Sequence, residues 1–247
     1  MNIDVILTPA ELPALSKSNL NKTACVVFDV LRATSTFVTA LRNGAAAIIP
    51  VSEISEALEI QKKRPRVLTA GERHGVKIRV EGREFDFGNS PLEFLPEKVK
   101  GRTIVSTTTN GTRALRACAH ANTVLAGAFL NLSATANFLR GKQFQTIVLV
   151  CAGTRENPAL EDIIAAGALC DELKQGPEKP SFSDSARVAL AAFRHAKTDL
   201  VGKICESENA QRLFAIPELR DDIRFCLRGN VFDLVARMKG GKITISR

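Results

Sequence analysis

Residues 24–36 read A-C-V-V-F-D-V-L-R-A-T-S-T, and the fold turns on how this stretch divides. Cys25-Val26-Val27-Phe28 is an unbroken apolar run rich in β-branched residues. Such a run suits a strand buried on both faces. Asp29, Arg32, Thr34, Ser35 and Thr36 follow at once, and Phe37, Val38 and Leu41 then fall at helical spacing. A carboxylate, a guanidinium and three hydroxyls therefore stand where a buried strand passes into a helix. In open α/β sheets that edge is where ligands bind. Thr34 or Ser35 is placed to cap the helix, whose free N–H groups suit an anion. The plainer alternative is a structural ion pair between Asp29 and Arg32.

Outward from this stretch, strand and helix patterns alternate. Ile3–Leu7 predicts a short strand closed by Thr8-Pro9, and Asn43-Gly44 stops the helix that follows residue 36. Ala45–Val51 and Arg66–Ala70 predict further strands, with a helix between them that opens at Ser52-Glu53 and ends before Pro65. This alternation argues for a mainly parallel sheet with covering helices, layered α/β/α. Val76–Phe87 breaks the rhythm, and Gly82 at its middle predicts a hairpin. Thr103–Val105, Val124–Ala126 and Thr146–Val150 continue the strand series, each followed by a helix. Gln175–Pro180 predicts a surface linker, and Ser183-Asp184-Ser185 caps the helix after it. Ser207–Leu213 predicts a helix, while Asp222–Leu227 and Lys242–Ile245 predict terminal strands. No repeat or clean boundary divides residues 1–247, so one α/β unit is expected, with two lobes around a cleft, the second from about residue 131, left open.

Composition narrows the function. The 247 residues are 45% hydrophobic and 24% charged, a balance that supports a sizeable core. The formal charge is +8, yet the basic residues are scattered, with Lys62-Lys63-Arg64 as a short run. No nucleic-acid motif accompanies them, so a nucleic-acid partner is not expected. The first residues lack a signal-peptide pattern, and no apolar run approaches the ~18 residues of a membrane span. The six Cys form no C-x-x-C pair, and the three His have no H-x-x-x-H spacing. Reduced core thiols, a cytoplasmic location and no zinc site are the expectations. A homodimer is expected on base rate alone.

Four polar clusters follow predicted strands: Asp29/Arg32/Thr34, Gly71/Glu72, Ser106 to Arg113, and Gly153 to Asp162. In a parallel sheet they gather at one edge. Ser106 to Thr112 offers hydroxyls and backbone N–H groups at a helix start. Arg32 and Arg113 can fork onto phosphate or sulfonate oxygens, and Lys77 and Arg79 add charge if their hairpin folds over the cleft. Asp29, Glu72, Glu161 and Asp162 supply carboxylates. Magnesium takes few carboxylates and bridges to phosphate, so the combination points to Mg²⁺-assisted phosphoryl chemistry on a small anionic phosphoester. Several phosphatase solutions are excluded by spelling. Cys25 and Cys151 are followed six positions on by Leu31 and Asn157, not Arg. Asp29 lacks a second Asp two positions on, and no G-x-x-x-x-G-K-[ST] loop occurs.

Several motifs resemble the 2-phosphosulfolactate phosphatase (ComB) family. They are D-V-L-R-A-T-S-T from Asp29, G-E-R from Gly71, F-D-F-G-N-S-P from Phe85 and S-T-T-T-N-G-T-R-A-L from Ser106. C-A-G-T from Cys151, L-E-D from Leu160 and D-I-R-F-C-L from Asp222 continue in family order. The resemblance implies an α/β fold and Mg²⁺-dependent hydrolysis of 2-phosphosulfolactate to sulfolactate and phosphate, a step of coenzyme M biosynthesis where that cofactor is made. It implies catalytic roles for Asp29, Arg32 and Glu72. Thr34, Asn89, Ser90, Thr107, Asn110 and Arg113 would contact substrate. Glu161 or Asp162, with Asp29 or Glu72, would hold Mg²⁺ directly or through water. An activated water is preferred to a phospho-Asp29 intermediate, because the second Asp that would protonate the leaving group is missing. Another phosphorylated 2-hydroxy acid as substrate, and a non-catalytic binder of phosphorylated or sulfonated metabolites, stay open as alternatives.

Overall fold

The β-branched run at residues 25–28 does form a strand buried on both faces, and the sheet is assembled around it. The computed structural model describes residues 1–80, 82–176 and 179–246. Its strands are β1 (Asn2–Ile6), β2 (Thr23–Phe28), β3 (Ala47–Pro50), β4 (Leu68–Arg73), β5 (Val76–Lys77), β6 (Arg79–Val80), β7 (Arg83–Glu84), β8 (Thr103–Thr107), β9 (Thr123–Gly127), β10 (Thr146–Cys151), β11 (Ser181–Phe182), β12 (Ala236–Lys239) and β13 (Lys242–Ile245). The helices are α1 (Leu12–Lys17), α2 (Ala33–Arg42), α3 (Ile54–Lys63), α4 (Pro96–Val99), α5 (Gly111–Ala117), α6 (Leu132–Arg140), α7 (Leu160–Lys174), α8 (Asp184–Ala196), α9 (Leu200–Cys205), α10 (Glu208–Phe214) and α11 (Arg220–Cys226).

Among the described residues eleven strands join one mixed sheet, in the order β11-β1-β10-β2-β9-β12-β13-β3-β8-β4-β5. It is mostly parallel, as expected, but in two blocks. β11, β1, β10, β2 and β9 are parallel neighbours, and so are β3, β8 and β4. Between the blocks lies the antiparallel hairpin β12–β13, which pairs antiparallel with β9 on one side and β3 on the other. Three antiparallel steps reverse the sense of the second block relative to the first. In a flat sheet that reversal sends the two sets of strand ends to opposite edges.

The sheet is not flat. It curls around α2, whose residues from Ala33 to Leu41 are all buried. Phe37, Val38 and Leu41 pack with Cys25 and Val27 of β2 and also with Ile48 and Ile104 of the second block. On its other face the first block packs Ala24, Val26 and Phe28 against α7 and α8 through Ile164, Leu169 and Leu190. The second block is covered by α3 through Val105, Ala57 and Ile54. Each block thus has helices on both faces, which is why its strands read as continuous apolar runs rather than alternating ones.

A helix buried on all sides yet carrying Thr34, Ser35, Thr36 and Thr39 needs partners for those hydroxyls. Each donates to a backbone carbonyl: Thr34 to Asp29 at 3.0 Å, Ser35 to Val30 at 2.8 Å, Thr36 to Asn89 at 2.8 Å and Thr39 to Ser35 at 2.7 Å. The cap expected from Thr34 or Ser35 is supplied instead by Asp29, whose Oδ1 accepts the Ala33 N–H at 3.1 Å. Gly44 ends the α2 region at φ +95, a conformation costly for any residue with a Cβ.

Other expectations need correction. Asp222–Leu227 does not form a strand, since Arg220–Cys226 is α11. Within Val76–Phe87 the expected hairpin is present but shorter: β6 pairs antiparallel with β7 on either side of Gly82, whereas β5 pairs with β4. Glu81 within the expected hairpin, and Pro177 and Glu178 within the expected linker, lie outside the described residues. Lys77 and Arg79 do not cover a cleft. Lys77 pairs with Glu93 at 3.4 Å, and Arg79 pairs with Glu84. Among the described residues no helix is long and apolar enough to cross a membrane.

Candidate functional site

The curl brings the four polar clusters together. A cavity of about 300 Å³ is lined by Asp29 and Arg32 beyond β2, Glu72 at the end of β4, Thr109 and Asn110 beyond β8, and Thr154 and Arg155 beyond β10. His74 and Gly75 from the β4–β5 turn, Asn89, and Asn209, Arg212, Leu213 and Ile216 in and after α10 complete the walls.

Asp29 sits at the floor, 8% exposed. Burial pushes its carboxyl up to about 7, helped by the neighbouring charges of Glu72 and Glu161 and opposed by the Ala33 and Gly111 amides. Gly111 opens α5 against this group. A Cβ there would stand 2.6 Å from Asp29 Oδ2 and 2.8 Å from the Ala33 Cβ, so the close approach of α5 to α2 requires glycine.

Glu72 is held at both oxygens. Oε1 accepts from the Thr109 N–H and hydroxyl at 3.0 Å each, and Oε2 accepts the Gly75 N–H at 2.7 Å. Glu161 stands behind the cavity wall, 1% exposed. Its Oε1 accepts from Asn209 Nδ2 at 2.6 Å, and its Oε2 is buried with no hydrogen-bond partner among the described residues. Burial raises its pKa, against the pull of the Asn209 hydrogen bond. Asp162 is engaged by the backbone. Oδ1 accepts the Val30 N–H at 2.8 Å and Oδ2 the Gly153 N–H at 3.0 Å, tying the loop after β2 to the loop after β10. Burial, then the charges of Glu161 and Asp29, hold its pKa well above the ordinary carboxylate value.

Arg32 lines the cavity but does not pair with Asp29. Its Nη1 donates to Asp222 Oδ2 at 2.6 Å, and its Nη2 donates to the Gly75 carbonyl at 3.0 Å. Ser90 donates to Asp222 Oδ1 at 2.6 Å and is not part of the cavity wall. Thr107 lies beneath the wall, donating to the Ser52 carbonyl and accepting from Arg73. Thr34 is engaged with the Asp29 backbone. Arg113 points to the surface, where it pairs with Glu156 at 2.5 Å. Of the expected site residues, the structure therefore gathers Asp29, Arg32, Glu72, Asn89 and Asn110 on the wall and Glu161 just behind it. Thr34, Ser90, Thr107 and Asp162 support the wall, and Arg113 lies outside.

Sequence reasoning misses Thr109, Thr154 and Arg155, although all three fall in or beside the quoted motifs. It also misses His74, Asn209, Arg212 and Asp222. Asn209 bridges Thr154 Oγ1 and Glu161 Oε1 at 2.7 and 2.6 Å, yet it lies in a short helix with no chemical signature.

The donor set suits a hard cation. Among the described residues no three His, Cys, Asp or Glu side chains converge as a metal cage. Magnesium needs only one or two carboxylates, with water and substrate oxygens for the rest. Asp29 and Glu161 fit that requirement. Their charges repel across the cavity wall, and Glu161 Oε2 is an acceptor without a donor among the described residues.

The family model described as 2-phosphosulpholactate phosphatase matches residues 7–241. A protein of Caldanaerobacter subterraneus subsp. tengcongensis is 41% identical over 236 residues, covering 95% of each chain. One from Thermotoga maritima is 40% identical over 239 residues, covering 97% of this chain and 96% of its own. One from Clostridium beijerinckii is 34% identical over 246 residues, covering 99% of each. All three are described as probable 2-phosphosulfolactate phosphatases.

Proposed function

Because the chain belongs to the 2-phosphosulfolactate phosphatase family, we propose that its cleft hydrolyses 2-phosphosulfolactate to sulfolactate and phosphate with the help of Mg²⁺. The supporting observation is the placement of Asp29 and Glu72 on the same small cavity wall as Arg32, Arg155 and Arg212. An acidic floor beneath a basic rim suits a substrate with a phosphoester to hydrolyse and two further anionic groups to hold.

Asp29 and Glu161 would hold the ion. Bound there, it would neutralise phosphoester charge and make nearby water more acidic. The remaining work falls to the protein. Arg32 takes the phosphoryl oxygens with N–H groups not used by Asp222 or Gly75. Asn89 and Asn110 present amides at the wall. Glu72, fixed at both oxygens, accepts a further hydrogen bond from the attacking water and orients it. Arg155 and Arg212 face the carboxylate and sulfonate ends, the role sequence spacing suggests for Arg113. Leu31, Leu213 and Ile216 exclude bulk water on the apolar side.

The experiment is phosphate release from a panel of phosphorylated 2-hydroxy acids, with Mg²⁺ and with EDTA. Preferred, Mg²⁺-dependent release from 2-phosphosulfolactate is expected. Release that survives EDTA overturns the metal assignment, and preference for another acid overturns the substrate.

A further inference from the structure

We infer that Asp222 of α11, with Ser90, is a positioning residue that fixes the Arg32 guanidinium to meet the phosphoryl group. This rests on the reading above, that Arg32 holds phosphate. Asp222 is not itself among the residues that line the cavity, and the wall residue it hydrogen-bonds among the described residues is Arg32.

Arg32 and Asp222 are 190 positions apart in the chain, and their side chains are 2% and 0% exposed. A buried ion pair is weak evidence for stability, because desolvation offsets most of the attraction. Its geometry is more telling. A guanidinium is a rigid plane with five N–H donors. One is taken by Asp222 Oδ2 and one by the Gly75 carbonyl, on different nitrogens. Two anchors on a planar group fix its orientation. Among the described residues the other three N–H donors have no protein acceptor, and the residue lines the cavity.

Both anchors are themselves held. Ser90 donates to Asp222 Oδ1, so neither carboxylate oxygen is idle. The Gly75 N–H donates to Glu72 Oε2 while its carbonyl accepts from Arg32. One peptide turn thus sets the spacing between a cleft carboxylate and the cleft arginine. The other three donors belong to a guanidinium whose plane is already fixed, and a fixed plane is the arrangement in which bidentate recognition of a phosphate loses least entropy.

The test compares Asp222→Asn, Ser90→Ala, Arg32→Lys and the Arg32→Lys/Asp222→Asn double variant. Inorganic phosphate binding is measured by calorimetry, KM and kcat on 2-phosphosulfolactate, and folding by thermal melting. Asp222→Asn is expected to weaken phosphate binding and raise KM by roughly 10- to 100-fold, the scale of losing an aligned charged contact. The double variant should bind no more weakly than Arg32→Lys alone, since Asp222 acts through Arg32. Losses that multiply in the double variant, or wild-type phosphate binding in Asp222→Asn, overturn the inference while leaving the phosphatase reading intact. If Asp222→Asn does not fold, Ser90→Ala decides by the same measures. Wild-type protein that binds no phosphate overturns both.

Discussion

Asp29→Asn should make the metal-free protein more stable at alkaline pH, and the size of the gain follows from burial. The Asp29 carboxyl rises from 3.8 to about 7 on folding, chiefly by desolvation. Folded protein therefore keeps a proton there that unfolded protein releases. The resulting stability is fully present below about pH 4 and is lost as pH climbs through about 7. Roughly three pH units at 1.36 kcal/mol each give about 4 kcal/mol in all. Some 3 kcal/mol of that falls between about pH 5 and about pH 8.5. This is an upper figure, because Glu161, whose own carboxyl is raised by burial, adjusts its protonation as Asp29 ionises. In the variant the side-chain amide oxygen still accepts the Ala33 N–H, the bond that Asp29 Oδ1 makes in the wild type, and there is no charge to bury. Urea unfolding in EDTA at several pH values measures the effect. The variant and wild type should match near pH 4 apart from a constant, then diverge steadily to about pH 7.5. Saturating Mg²⁺ should shrink the divergence by favouring ionised Asp29. A difference independent of pH would refute the reasoning, because it would mean that Asp29 ionises in the cleft as it does in water.

Three further variants test the packing and the charged wall of the site. Gly111→Ala places a methyl 2.6 Å from Asp29 Oδ2, so it should cost about 1–3 kcal/mol in urea unfolding and lower kcat by roughly 100-fold. Arg113→Ala should leave KM within about twofold, since an exposed pair with Glu156 contributes little, whereas Arg155→Ala should raise KM about tenfold.

The parts of this fold legible in sequence are those governed by local pattern. The run at residues 25–28 reads as a doubly covered strand because helices do cover both faces, and the polar residues after it mark the cavity edge. Asp222–Leu227 misleads because Ile223, Phe225 and Leu227 alternate with Asp222, Arg224 and Cys226. The buried positions are Asp222, Ile223, Cys226 and Leu227, a helical spacing that alternation hides. Thr34 reads as a cap or a substrate contact because sequence cannot reveal that the helix is enclosed and needs its hydroxyls for its own neighbourhood. The curl is non-local, set by where β12–β13 inserts, and β12 carries no signal distinct from its surroundings. A flat, wholly parallel sheet would predict the same meeting of loops for the wrong reason. Asn209, Arg212 and Asp222 reach the site from short helices whose composition is ordinary, so only the fold identifies them.

The β12–β13 hairpin also dictates an order of events. Both strands that it joins, β9 and β3, are made by the ribosome well before it. Until the hairpin arrives, each block carries a naked edge of unpaired N–H and C=O groups facing the gap. Without the hairpin no ladder of backbone hydrogen bonds links the two half-sheets among the described residues, and α2 is left as their shared packing surface. Contacts of such long sequence separation close slowly. Nascent chains are accordingly exposed to edge-to-edge association for the whole of that interval. The strand pair is a keystone: set between two half-sheets that run in opposite senses, it makes one arch of them and carries the register of one side to the other.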